Sequence, residues 1–119
     1  MLNKSNIQAL FVAIDSMDAT TFASFIAPDG KFRFGNWDPV FGRDNARAVV
    51  EGFFSSIKSL RHRVDDVAEA GNDLISRGEV TYTRHSGTTL TIPFCNYFKM
   101  EGGLVKDYQI YADVSTLYA

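Results

Sequence analysis

Residues 88–115 read TTLTIPFCNYFKMEGGLVKDYQIYADVS, and this stretch decides the fold. Two alternating runs flank Glu101-Gly102-Gly103, whose glycines are typical of a tight turn. Because side chains on a strand point alternately to its two faces, the first run presents one row made of Leu90, Ile92, Phe94, Asn96, Phe98 and Met100. Asn96 is the single amide in this apolar row. We therefore predict a β-hairpin that buries Asn96, whose amide needs a hydrogen-bond partner from the protein or from a ligand.

Three helices are predicted from apolar residues at three- and four-residue spacing. The first follows a cap at Asn3 or Ser5 and carries Ile7, Leu10, Phe11, Ile14 and Met17. The second is capped by Asp18 and carries Phe22, Phe25 and Ile26. The third and strongest is capped by Asp44 and carries Ala46, Val49, Val50, Phe53, Ile57 and Leu60.

The remaining segments predict strands and turns. Pro28-Asp29-Gly30 predicts a turn, residues 31–36 predict a strand, and residues 61–68 and 74–84 predict two more. The fold class is therefore α+β, with a strongly curved, mostly antiparallel sheet wrapped around a long helix and two further N-terminal helices. One helix cannot fill the concave face of such a sheet, so we expect a cavity beside it.

Size and composition restrict the function. The chain has 119 residues, 45% of them hydrophobic, which predicts one globular domain over residues 1–119. A net charge of −2 without a basic stripe argues against nucleic acid as a partner, and no apolar run is long enough for a membrane span. The single cysteine, Cys95, fits a reducing compartment, and we expect a cytoplasmic protein. His62 and Asp65-Asp66 are split between the faces of a strand, so no metal site is predicted.

Three motifs in this order carry a family resemblance: Phe32-Arg33-Phe34-Gly35-Asn36, then Phe41-Gly42-Arg43-Asp44 before the long helix, then residues 103–113 near the end. They resemble the SnoaL-like proteins of the nuclear transport factor 2-like superfamily, which includes ketosteroid isomerase and limonene epoxide hydrolase. The resemblance implies a cystatin-like cone, or α+β barrel. It also implies a cofactor-independent activity on a small hydrophobic molecule, and a homodimer formed through the outer sheet face that carries Tyr97 and Tyr111.

The catalytic residues of these enzymes match this chain only in part. At the positions of the three ketosteroid isomerase residues the chain holds Phe11, Phe34 and Asn96, so the base is missing. Asn36 matches an asparagine of limonene epoxide hydrolase, but Phe34 replaces its tyrosine and Ile110 its base. Both activities are therefore disfavoured.

SnoaL-like cyclases use an acidic residue as the acid and base of ring closure, and Asp113 is the matching candidate. Strand alternation disagrees with this assignment. It groups Tyr108 and Ile110 on the apolar face of the last strand and puts Asp113 on the opposite face, unless a bulge intervenes.

The strand patterns suggest further cavity residues. His62 shares a strand face with Leu60 and Val64, so it is either a general base or a core histidine bonded to a neighbouring strand. Tyr82 is either a hydroxyl donor or a core aromatic residue. Trp37, in the loop after the first strand, is either a lid or a plug. The predicted substrate site consists of Phe34, Asn36, Trp37, Tyr82, Asn96 and Tyr108, and His62 and Asp113 are the candidate catalytic residues.

Two functions remain open from the sequence. One is a SnoaL-like isomerase, cyclase or hydrolase acting on a hydrophobic, carbonyl-bearing substrate, with Asn96 and Tyr82 polarising the oxygen and His62 or Asp113 moving a proton. The other is a non-catalytic ligand-binding or dimer-forming domain that has kept the cavity and lost the acid and base groups.

Overall fold

A computed structural model describes residues 2–119, which form three helices and one six-stranded sheet. The helices are α1 (Gln8–Asp15), α2 (Ala19–Ser24) and α3 (Arg43–Ser55). The strands are β1 (Ile26–Phe34), β2 (Val40–Phe41), β3 (Ser59–Ala70), β4 (Asp73–Thr83), β5 (Thr89–Glu101) and β6 (Leu104–Tyr111). The strand order is β2-β1-β6-β5-β4-β3, and every neighbouring pair is antiparallel except β1 with β6. The α+β prediction is confirmed, although the sheet does not close into a barrel, because β2 and β3 form its edges.

The predicted hairpin is present as β5 and β6. Gly102 and Gly103 form its turn with φ values of 61° and 80°, a left-handed conformation that glycine adopts without strain. In the ladder Asn96 lies opposite Ile110, and Phe98 lies opposite Tyr108. Phe98 and Tyr108 belong to the hydrophobic core, where Tyr108 contacts Phe22 of α2.

Helix α3 is shorter than its apolar stripe. It begins at Arg43, with Gly42 rather than Asp44 as N-cap, and it ends at Ser55. The Ser56 hydroxyl donates to the carbonyl of Phe53 at 2.6 Å and so provides a hydrogen bond to one of the last carbonyls of the helix. Leu60, predicted as helical, instead lies in β3, where it pairs with β4 and keeps its place in the core.

Strand β1 begins before the predicted turn at Pro28-Asp29-Gly30, so that prediction is wrong. The segment continues as an irregular strand, with a register shift against β6 between Ile26 and Lys31. A Cβ on Gly30 would lie 2.9 Å from the carbonyl oxygen of Val105, so glycine lets the chain run close against β6. The predicted cap of α2 is confirmed, because the Asp18 carboxylate accepts the backbone N–H of Thr21 at 3.0 Å.

The long hairpin of β3 and β4 brings one edge of the sheet to the first helix. A bulge in β3 between Val64 and Asp66 lies against Gly78, where a Cβ would fall 1.8 Å from the carbonyl oxygen of Arg63. β3 is an edge strand, and α1 packs along it. Within residues 2–119 no helix is long and apolar enough to cross a membrane.

Candidate active site

A cavity lies between the inner face of the sheet and the three helices. Most of its wall is aromatic, formed by Phe22, Phe32, Phe34, Phe53, Phe54 and Phe94. The polar side chains in the lining are His62, Tyr82, Asn96 and Tyr108. The volume open to the centres of water molecules is about 40 Å³, so the cavity can hold a few waters. The cavity is thus a small apolar chamber with four hydrogen-bonding groups.

His62 is fixed by a carboxylate from the first helix. Asp15, the last residue of α1, accepts the backbone N–H of His62 with Oδ2 at 2.9 Å and places Oδ1 2.6 Å from His62 Nδ1. A carboxylate accepts hydrogen bonds, so this contact assigns the proton of the neutral ring to Nδ1. Nε2 is then the basic nitrogen. An imidazole held in one tautomer by a carboxylate is suited to general base chemistry.

The packing of the ring explains how β3 positions it. His62 lies on the inner face of the edge strand together with Leu60 and Val64, and the residues between them point outward. Its ring centroid lies 5.0 Å from that of Phe11 on α1 and 5.1 Å from that of Phe94 on β5. The His62 side chain is 10% exposed, so the ring sits between these two aromatic residues with one edge near solvent.

Asp15 is the site residue that the sequence interpretation missed. It follows Phe11 by four residues and therefore lies on the same side of α1 as part of the apolar stripe. A carboxylate at the margin of a buried stripe is the signal that identifies it, but its partner is 47 residues away and on a strand.

Asn96 is buried at 3% exposure, and its Oδ1 has no hydrogen-bond partner among residues 2–119. The same holds for the hydroxyl of Tyr108, which is fully buried, and for that of Ser76, which faces Asn96 across the β4–β5 ladder. An unpartnered buried polar atom costs about 1–3 kcal/mol, so these groups favour a polar guest or water in the cavity.

Both cavity tyrosines are held in the neutral form. Burial raises the pKa of Tyr108 far above its ordinary value. Burial, with a smaller contribution from Tyr118, likewise raises the pKa of Tyr82. Both phenols are therefore hydrogen-bond donors throughout the physiological range.

Trp37, in the loop after β1, packs behind the cavity wall. Its ring stacks on Phe34 at 4.9 Å and lies 6.1 Å from Phe53, and its carbonyl accepts from Arg33. Trp37 itself is not part of the cavity lining, but it supports two residues that are. Phe34 itself lines the cavity, whereas Asn36 is exposed in the turn after β1 and lies outside the lining.

Asp113 lies apart from the other predicted site residues. β6 ends at Tyr111, and Asp113 is exposed beside Cys95 in a depression on the other side of the sheet. Hydrogen bonds from the side chain and backbone of Ser115 hold the pKa of Asp113 below its ordinary value. This placement does not support Asp113 as an acid within the cavity.

Comparison with solved structures gives several proteins with the same fold at low sequence identity. An NTF2-like protein of unknown function from Burkholderia pseudomallei is 18% identical, with a TM-score of 0.85 over 95% of this chain and 92% of that one. A hypothetical protein with a ketosteroid isomerase-like fold from Catenulispora acidiphila, in complex with trimethylamine, is 14% identical, with a TM-score of 0.87 over 97% and 90%. An LEH-like epoxide hydrolase from M. tuberculosis is 12% identical, with a TM-score of 0.78 over 94% and 83%.

A search among curated proteins gives no match. The model of the SnoaL-like domain, however, matches residues 7–108, which is most of the chain. The cone-shaped arrangement of helices and sheet around one apolar cavity agrees with that match, and the chain therefore belongs to the SnoaL-like domain family.

Proposed function

We propose that the protein is a cofactor-independent enzyme of the SnoaL-like type that moves a proton on a small, apolar, carbonyl-bearing molecule. The observation that carries this proposal is the Asp15–His62 pair in the wall of an aromatic cavity. On a carbonyl-bearing substrate, double-bond isomerisation and aldol ring closure both begin with removal of a proton next to the carbonyl, so the proposal names their shared first step.

In this step Nε2 of His62 takes a proton from the carbon beside the carbonyl, and the electron pair of that bond moves onto the carbonyl oxygen. The Asp15 carboxylate stabilises the imidazolium that forms, and it keeps the ring oriented. Tyr82, a diagonal cross-strand neighbour of His62, and Asn96 are the donors available to the oxygen as it gains charge. Returning the proton to a different atom completes an isomerisation.

A non-catalytic ligand-binding domain is the second candidate function, and one observation favours it. Among the described residues no aspartate or glutamate lines the cavity to act as an acid or base. Under this alternative, His62 and Asp15 fasten α1 to the edge strand and transfer no proton to or from a ligand.

Deuterium exchange into 2-butanone separates the two functions. The ketone is incubated with the protein in D₂O, and the loss of its α-protons is followed by NMR. We expect wild-type protein to accelerate exchange over buffer and His62→Gln to lose about a hundredfold or more of that acceleration. His85→Gln is the matched control, because His85 is exposed and bonds the carbonyl of Ser55. Equal rates in wild type and His62→Gln, with both proteins folded, would contradict the enzyme proposal.

We also propose a homodimer formed through the outer face of the sheet. Tyr111 is 60% exposed there and borders the depression beside Cys95, so pairing would cover an apolar ring. Tyr97, on the same face, donates its hydroxyl to Asp73 and offers a ring edge to a partner. Sedimentation at micromolar concentration should give twice the monomer mass of 13.3 kDa, and a monomer alone would reject the dimer.

A further inference from the structure

A second space lies on the outer side of the Asp15–His62 pair. It is an open groove between α1 and the edge strand β3. The helix side contributes Gln8, Phe11, Val12, Asp15 and Ser16, and the strand contributes His62 and Val64. His62 lines both this groove and the inner cavity. The proposed base therefore faces two spaces.

The wall between these spaces consists of side chains. β3 is the last strand of the sheet, so no ladder hydrogen bonds continue from it toward α1. The Asp15 carboxylate links the two elements through the backbone and ring of His62. Beside that link, the rings of Phe11, His62 and Phe94 are in mutual contact, with Phe11 and Phe94 5.8 Å apart. The groove and the cavity are therefore separated here by side chains alone, and no ladder hydrogen bond lies between them.

The two spaces differ in enclosure. The inner cavity has about 40 Å³ of free space, whereas the groove is open to solvent along its length. A carbonyl group fits the first, whereas the rest of a larger substrate needs the second. Val12 on the groove rim is 65% exposed, one of few large apolar side chains with such exposure in the described chain. An apolar guest would cover it.

The charge of the groove restricts its occupant. Asp15 is the charged residue in its lining, and its carboxylate is already engaged by His62. No cationic side chain of residues 2–119 lines the groove to neutralise an anion. A neutral chain that packs on Phe11, Val12 and Val64 is therefore the occupant that this groove suits.

We propose that the α1–β3 groove binds the apolar, non-reacting tail of the substrate, and that Val12 is a contact for this tail. The inference rests on the proposed function, because it requires a substrate whose carbonyl end enters the cavity at His62.

A homologous series of methyl ketones from 2-butanone to 2-nonanone tests this site. Dissociation constants are measured by ligand-observed NMR with the whole protein. If the groove continues the site, affinity rises by about threefold to fourfold for each added CH₂ beyond the length that fills the cavity. Val12→Asn should weaken binding of 2-nonanone by about fivefold and leave 2-butanone unchanged. Ala9→Asn is the matched control on the same helix, since Ala9 is exposed and outside the groove lining, and it should leave the whole series unchanged.

Three results would overturn the proposal. These are an affinity that stops rising after the shortest ketones, an equal effect of Val12→Asn and Ala9→Asn, and a complete lack of ketone binding. The outcome is separable from that of the proposed function. A rising affinity without deuterium exchange would retain the groove and reject the enzyme, whereas exchange with a flat series would retain the enzyme and reject the groove.

Discussion

Replacing Asn96 by leucine should make the protein more stable. Asn96 is 3% exposed in an otherwise apolar row, and its Oδ1 has no partner among the described residues. If the Asn96 amide binds a ligand, the free protein offers it no hydrogen bond in exchange for those lost to water. Burying the amide therefore lowers the stability of the free protein. Leucine removes that cost and adds apolar burial.

The size of the effect follows from the site. Removing an unpartnered buried polar atom is worth about 1–3 kcal/mol in the free energy of unfolding. The extra volume of leucine has space, because Asn96 borders the cavity of about 40 Å³. For 119 residues the unfolding entropy is about 0.25 kcal/mol/K, so Tm should rise by roughly 4–12 °C.

Urea denaturation followed by circular dichroism measures this change. Asn45→Leu is the matched control, because the Asn45 amide is exposed and already donates to the carbonyl of Phe41 at 2.8 Å. The control should lose stability or stay level. If Asn96→Leu lowered the free energy of unfolding as well, the amide would have a structural partner, and the ligand-facing interpretation of Asn96 would be refuted.

Further predictions concern backbone positions and acid stability. Gly52→Ala should add about 0.5–1 kcal/mol to the free energy of unfolding, because this helical glycine has nothing within 4 Å of a Cβ. Gly78→Ala should remove about 2 kcal/mol or more, because its Cβ would collide with the carbonyl of Arg63. Hydrogen bonds from Thr21 lower the pKa of Asp18, so its stabilising effect is complete above about pH 4 and is lost as the pH falls through the lower folded value. The urea midpoints of wild type and Asp18→Ala should therefore differ at pH 7 and converge in acid.

The fold was predictable where a pattern is local and repeated. Alternation in β5 and β6 and the two glycines between them predict the hairpin correctly. The end of α3 was not predictable, because Leu60 continues the helical spacing and only pairing with Tyr82 makes it part of a strand. The start of β1 was missed for a similar reason, since its irregular pairing with β6 joins segments far apart in sequence.

The site follows the same division. Alternation along each strand indicates that His62, Tyr82, Asn96 and Tyr108 face inward, and all four line the cavity. Asp15 was missed because its role depends on how α1 is placed against an edge strand, which no local pattern encodes.

Positions carried over from relatives depend on exact loop geometry and transfer less well. Asn36 and Asp113 were both suggested by family resemblance, and both lie outside the cavity lining. Each sits just beyond the end of a strand, where alternation no longer fixes the direction of a side chain.

The central claim is that Asp15 and His62 act as one catalytic unit, and a double-mutant cycle on deuterium exchange into 2-butanone tests it most directly. Rates are compared for wild type, Asp15→Asn, His62→Gln and the double variant, each shown to be folded. We predict that each single variant loses about a hundredfold or more, and that the double variant loses no more than His62→Gln alone. The claim would be contradicted if the rate loss of the double variant equalled the product of the two single losses, or if Asp15→Asn left the exchange rate unchanged.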